Sequence, residues 1–285
     1  MKMFVKHKKS AFTLVELLAV LGIIAILVAL LIPAVTMVRK MARETQQKAQ
    51  LTTIEMALTA FKNDYGDYPL SEWEQQDYCG AQKLCEALVG WDLLGFHPDS
   101  HWRADGEDGS GNEIYRHPLN PTTDPCDLKN LKERKGPYLE LATANVFELS
   151  DLFDNTTPLD PNTFVICDVF GKKSITIGTK TVKAGAPILY YRANTSSKTI
   201  ENVPTRDRIY NVRDNLPLIE IKKRDDGKEH PLRDPGGTYS FFYGYIRDPK
   251  VSTTTIKWPY RPDSYILISA GVDGLYGTSD DIRNF

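Results

Sequence analysis

Residues 17–35 contain no polar side chain, and a single carboxylate, Glu16, stands at the edge of that run. The stretch is about as long as the ~20 residues that a bilayer-spanning helix needs. It is longer than the apolar core of an ordinary secretory signal, and its far end is poorly supplied with the small residues of a cleavage site. A membrane-spanning helix over about 14–35 is the first expectation, and the rest of the chain must be compatible with that tether. The carboxylate is the anomaly. An ionised side chain within a span costs roughly 2.5–3.5 kcal/mol on insertion scales, so it needs a partner, a function, or an interfacial position from which it snorkels into water.

Charge gives the span a direction. Lys2, Lys6, Lys8 and Lys9 precede it, and no acid occurs before Glu16. Basic residues on the short flank place the N-terminus in the cytoplasm and the globular remainder across the membrane. The net charge of the 285 residues is −2, and apart from those four lysines 31 basic residues face 37 acidic ones. Such a balance provides no field for nucleic acid, and none is expected as a partner.

Four cysteines fit an exported domain, where an even count permits disulfides in three possible pairings. Cys79 and Cys85 lie close together and are the favoured pair, leaving Cys126 with Cys167. The Cys-x2-Cys spacing of a zinc site is missing.

Beyond Pro33 the helical signal continues in amphipathic form. Val38, Ala42, Leu51, Ile54, Leu58 and Phe61 approximate a spacing of three to four, with charged and amide residues between them. The pattern predicts one helix over residues 12–62 that ends at Asn63-Asp64-Tyr65-Gly66, apolar all round at first and sticky on one face later. Pro33 removes a backbone donor, so a kink or local melting is expected there. A short helix is predicted at 81–89, and residues 97–137 are rich in turn formers. Strand-like runs follow at 163–170, 174–182, 188–192, 218–221, 238–246, 253–258 and 264–269. Helix first and strands later indicates an α+β fold, with the long N-terminal helix packed on an antiparallel sheet.

The segment Ala11-Phe12-Thr13-Leu14-Val15-Glu16, after a short basic leader and before a long apolar helix, resembles the processing site of type IV prepilins and type II secretion pseudopilins. The resemblance is dense over residues 1 to about 60, with Ala11 where the family more often has Gly, and Pro33 matches as well. It implies a leader over 1–11, cut after Ala11 by a prepilin peptidase, and a Phe12 amine that becomes methylated. Glu16 of one subunit would then pair with the Phe12 amine of the next, as an assembly contact within a homo-oligomeric helical filament.

A narrower resemblance covers residues 63–285. Tyr68-Pro69, CEALVG at 85–90, GPYLE at 136–140, FGK at 170–172, APILYYR at 186–192 and SYILISAGVDGLYGTSDDI at 264–282 follow the order of landmarks in the major pseudopilin of type II secretion. The chain is about twice the length of that family's major subunit, with the excess within about 97–185 and 194–260. The resemblance implies a subunit of a periplasmic pseudopilus that drives protein export across the outer membrane, with other pseudopilins and an inner-membrane assembly platform as partners. A surface filament of the type IV pilus kind, serving adhesion or DNA uptake, is the alternative.

The C-terminal loop has chemistry of its own. Asp273, Asp280 and Asp281 bracket two glycines and the hydroxyls of Thr278 and Ser279, a set of hard oxygen donors suited to Ca2+. The twelve-residue EF-hand pattern is absent. In the resembled family this loop binds calcium, which points to Asp273 with one or both of Asp280 and Asp281, and to Thr278 or Ser279 as a further ligand, in a structural role. The acidic run DGEDGSGNE at 105–113 lacks a ligand spacing, and His97, His101 and His117 read as loop histidines. Nucleophile-elbow, P-loop, zincin and dinucleotide patterns do not occur, so no catalytic residue is assigned and no enzyme is expected.

Overall fold

The computed structural model describes residues 13–73, 77–115, 130–171, 173–200, 208–221, 227–233, 239–253 and 257–285. The chain divides into two compact units, residues 1–45 and 46–285. Helix α1, Leu14–Tyr65, runs through both.

In the first unit α1 is exposed on all sides, including Leu18, Ile24, Leu31 and Met41, and it is long and apolar enough to cross a membrane. The helix continues through Pro33 without interruption, so the expected melting does not occur there. A proline lacks the N–H for one ladder bond, but its φ is already helical, so a single such residue is tolerated within a long span. One turn on, the Thr36 hydroxyl donates to the Pro33 carbonyl, 2.8 Å away.

In the second unit α1 buries Gln47, Leu51, Ile54, Ala57, Leu58 and Phe61. The face predicted from spacing therefore begins at Leu51; Val38 belongs to the exposed segment instead. The helix stops at Tyr65 because Gly66 takes a φ of +86° and its N–H closes on the Lys62 carbonyl at 2.7 Å.

The sheet that receives this face has the order β5 (Leu189–Arg192), β6 (Tyr265–Ser269), β7 (Ile282–Arg283), all antiparallel. Leu189 opposes Ile268 and Arg192 opposes Tyr265. Successive side chains of a strand point to opposite faces. Tyr190, Tyr265 and Leu267 accordingly join one cluster with Leu51, Leu58 and Phe61 of α1 and Leu84 and Leu88 of α2 (Gly80–Val89). Leu189, Tyr191, Ile266 and Ile268 join a second cluster on the other face.

That second cluster contains two segments that the sequence suggests are strands. Residues 216–220 form a short helix, α5 (Leu216–Glu220), and residues 240–245 form another, α6 (Ser240–Tyr245). Both are buried in that cluster: Leu218 and Ile219 from the first, and Phe242 and Ile246, four residues apart, from the second. Pro217 at the start of α5 also suits a first helical turn better than a ladder. The run at 174–182 is a hairpin, β3 (Lys173–Ile177) with β4 (Lys180–Ala184), turning at Gly178, whose φ is +60°. Of the run at 163–170 only β2 (Phe164–Ile166) is strand, paired with β1 (Val146–Glu148) beside the short helices α3 (Leu141–Ala144) and α4 (Leu149–Leu152). Within 253–258, residues 254–256 lie outside the described residues.

Loops are held by buried polar side chains. Glu86 of α2 is 2% exposed and accepts from the Tyr78 hydroxyl at 2.8 Å and the Ser100 hydroxyl at 2.5 Å. In a buried ion pair Arg134 Nη1 donates to both carboxylate oxygens of Asp92, while Nη2 donates to the Ile114 carbonyl. Burial pushes the Glu86 carboxyl up to about 7, against the opposing effect of the Ser100, Tyr78 and Tyr115 hydroxyls. Folded Glu86 thus keeps its proton through a window in which the unfolded chain has lost it, and stability falls as pH rises across about 4.5–7, by at most about 1.4 kcal/mol per pH unit for this group. Asp168 and Asp214, raised to about 7 by burial, act in the same sense. Denaturant melts of the full chain in detergent across that window should show the decline, and Glu86→Gln should flatten part of it. An unchanged slope in the variant would show that Glu86 ionises in the folded state.

Candidate functional site

Two places carry the sequence-predicted residues. At the N-terminal end of α1, Thr13 and Glu16 close on one another. The Thr13 N–H and hydroxyl both donate to Glu16 Oε2, at 2.9 and 2.7 Å, and the Glu16 N–H donates back to the Thr13 hydroxyl at 3.2 Å. This is a capping box, in which a Thr at the cap and a Glu three residues on satisfy the open backbone donors of the first turn. The Thr-x-x-Glu spacing that announces the box stands in the sequence, where the charge of Glu16 at the edge of an apolar run draws attention away from it. Glu16 is therefore satisfied within a single chain, and the second carboxylate oxygen takes no part in these bonds. Ala11 and Phe12 lie outside the described residues.

Residues 6–32 match the family model of the prokaryotic N-terminal methylation motif. The chain carries a prepilin-type N-terminal motif. No curated protein and no solved structure matches the chain. The prepilin-type match and the described geometry meet at Thr13–Glu16: the motif's one acid is also the residue that seals the start of the helix.

The second place is the loop between β6 and β7. Gly271, at φ +64°, lets the loop ends cross so closely that a Cβ there would lie 2.3 Å from the Asp280 carbonyl oxygen. Asp280 Oδ2 accepts from the Asp273 N–H at 2.9 Å, Asp273 Oδ1 from the Leu275 N–H at 2.8 Å, and Asp281 Oδ2 from the Gly277 N–H at 2.7 Å and from the Tyr245 hydroxyl. Tyr276, fully buried, anchors the loop by donating its hydroxyl to the Pro187 carbonyl at 2.5 Å.

Thr278 sits at the centre. Its hydroxyl lies 2.6 Å from Asp280 Oδ1, 3.2 Å from Asp281 Oδ1 and 3.3 Å from the Leu275 carbonyl. A hydroxyl has one proton to give, so three acceptors around it exceed what it can satisfy. Burial raises the Asp281 carboxyl despite the Tyr245 hydroxyl and the Gly277 N–H. Asp280 goes below its ordinary range, because the Thr278 hydroxyl and the Asp273 N–H outweigh the opposing effect of burial. Ser279 is exposed and stands outside these bonds. The surplus of hard oxygen acceptors around Thr278 fits the chemistry of a calcium ion.

Among the described residues a different group, His97, Asp99 and Glu133, brings possible ligand atoms within 4.8 Å of one another. His97 Nδ1 accepts the Asp99 N–H at 3.2 Å, which puts the ring proton on Nε2, facing Glu133 Oε2 at 3.6 Å. That tautomer offers a metal no lone pair at Nε2. His117 lies outside the described residues.

The cysteine expectation needs correction. Cys79 caps the N-terminus of α2 and Cys85 lies one and a half turns on; both are free buried thiols. They enter different apolar clusters, Cys79 on one side of the sheet and Cys85 on the other, so the helix between them prevents a bridge. Burial raises the Cys79 thiol to about 11 and pushes the Cys85 thiol up as well. Cys167 is buried, and its proposed partner Cys126 is outside the described residues. With both thiols buried and protonated, iodoacetamide should leave Cys79 and Cys85 unmodified in the native protein and label both after denaturation. Recovery of a Cys79–Cys85-linked peptide without reduction would contradict this arrangement.

Proposed function

We propose that the chain is a membrane-anchored precursor whose mature form, beginning at Phe12, is a structural subunit of a helical filament, and that the filament is a type II secretion pseudopilus. The observation that carries this reading is the methylation-motif match over residues 6–32, coincident with a helix whose first unit is apolar and exposed all round. In the filament, these apolar segments bundle together and the globular units coat them. A prepilin peptidase and methylating partner, other pseudopilins and an inner-membrane platform supply processing and assembly, with the N-terminus cytoplasmic and the globular unit periplasmic. Its work is mechanical: extension of the filament moves exported proteins toward the outer membrane.

The capping box refines the role of Glu16. One carboxylate oxygen is held by Thr13, which leaves the other to accept the Phe12 ammonium of a neighbouring subunit. The charge on Glu16 then matters in a way that its capping does not. Mass and N-terminal sequence from the native membrane should show a start at methylated Phe12, and Glu16→Ala should abolish filament pelleting. Glu16→Gln, which keeps the capping bond but loses the charge, should also fail to pellet. If the Gln variant pelleted like the parent, capping alone would be the role of Glu16; if the chain began at Met1, the filament reading would fall. Filaments on the cell surface instead of in the periplasm would favour the pilus alternative.

The proposed calcium ion is held by Asp280 and Asp281 with Thr278 and the Leu275 carbonyl, and Asp273 supports Asp280 through its backbone N–H. The ion would neutralise the facing carboxylates and cross-link the loop. Calcium at one hundred times its dissociation constant should stabilise the full-length protein by about 2.7 kcal/mol. EGTA should therefore lower the melting temperature of the parent and leave that of Asp280→Asn little changed. Equal responses to EGTA in the two proteins would place calcium elsewhere or nowhere.

A further inference from the structure

Residues 71–73, 192–196 and 208–214 enclose a polar cleft of about 340 Å³, at the lower end of the size range of small-molecule sites. Arg208 lines it, is 3% exposed, and has no hydrogen-bond partner on either Nη1 or Nη2. Its guanidinium carbon lies 4.3 Å from the centroid of the Tyr243 ring, a cation–π contact that supplies no acceptor to Nη1 or Nη2. Trp73 lines the same cleft, and its Nε1 is also buried without a partner.

The charged neighbours do not answer this need. Asp214 Oδ2 accepts from the Ser71 hydroxyl at 2.6 Å, and Arg192 pairs with Asp67 at 2.6 Å. Glu72 is exposed. An arginine cannot escape burial by losing its proton. The orphaned groups lining the cleft, a guanidinium fork and an indole N–H, are all donors. Their complement is a group that only accepts, and an ionised carboxylate is such a group, with two oxygens spaced for the Nη1–Nη2 fork.

We propose that this cleft binds a small carboxylate-bearing ligand, with the carboxylate buried against Arg208 Nη1 and Nη2 and the Trp73 N–H within reach of the same ligand. The inference does not depend on the filament reading, since it uses no residue of α1. Because both Nη atoms are shielded from water, the ligand's charge is buried with them, and selection is for carboxylate shape as much as for charge.

The test is calorimetric titration of the full-length protein in detergent with D-galacturonate, and with D-galactose and inorganic phosphate as the uncharged and tetrahedral counterparts. Saturable galacturonate binding is expected, with no measurable heat from galactose and weaker binding of phosphate. Arg208→Gln should weaken galacturonate by about ten-fold or more, as for a lost charged hydrogen-bonding partner. Its melting temperature should be unchanged or higher, because it removes an unpaired buried cation. Trp73→Phe, which keeps the ring and loses the N–H, should weaken binding by about three-fold or more and decides the matter if Arg208→Gln does not fold. Absence of galacturonate binding, equal binding of galactose, preference for phosphate, or unchanged affinity in the deciding variant would each overturn the proposal.

Discussion

Sheet β5–β6–β7 has no face left for water, and the layout of the second unit follows from that. Alternate residues of β5 and β6 must each find an apolar layer: Tyr190, Tyr265 and Leu267 on one side, Leu189, Tyr191, Ile266 and Ile268 on the other. The first side is covered by the seam of α1 and by α2, whose Gly80 is a requirement of close approach, since a Cβ there would lie 2.5 Å from the Tyr190 carbonyl oxygen. The second side is closed by the short helices α5 and α6 together with α4 and β2. Even Tyr190, a buried residue with a polar tip, finds an acceptor by donating to the Pro69 carbonyl at 2.7 Å. The register places the two candidate binding features at opposite ends of this sheet. Arg192 pairs with Tyr265 at the cleft end, whereas Ser269, from which the acidic loop departs, lies at the other.

So small a sheet leaves long connections without ladder partners, and buried side chains take over that task. Asp168 accepts from the N–H groups of Phe170 and Ala186 and from the Ser269 hydroxyl, joining the end of β2, the approach to β5 and the end of β6. Asn215 accepts the Ala81 N–H and donates to the Tyr190 carbonyl, tying the loop before α5 to α2 and the sheet. Burying such groups is tolerable only when they are bonded. Arg208 stands out against that background, since it is a buried cation with no partner on either Nη atom.

What could be read from sequence divides along the same lines. The long apolar start of α1, its seam from Leu51 to Phe61, the end of the helix before Gly66, and strands β5 and β6 all rest on local patterns of spacing or turn chemistry, and these were legible. Segments 216–220 and 240–245 were not, because a short, fully buried apolar run has the same composition as a strand or as one helical turn. Cys79 and Cys85 mislead for a related reason: closeness along the chain implied closeness in space, but a helix turned the two thiols to opposite sides. In the C-terminal loop the acids were evident, but the central position of Thr278 and the peripheral one of Ser279 depend on the crossing at Gly271. The cleft could not have been anticipated, since its defining property is a partner that Arg208 and Trp73 lack.

The box at Thr13–Glu16 changes the energetics of the proposed assembly. A bare carboxylate at the edge of a span would make an isolated subunit costly, and pairing with a neighbour's ammonium would recover that whole cost. Here Thr13 already supplies two donors to Glu16, and a capping interaction of this kind contributes typically about 1 kcal/mol to helix stability. The driving force for adding a subunit is then the difference between a carboxylate held by Thr13 and one held by Thr13 and an ammonium together. That difference is smaller than the full desolvation cost, so in the proposed filament subunits would wait in the bilayer as folded helices and the charge pair would set register more than drive association. Most of the free energy of bundling must then come from the packing of the apolar segment between Leu17 and Val35, whose side chains are exposed in the single chain.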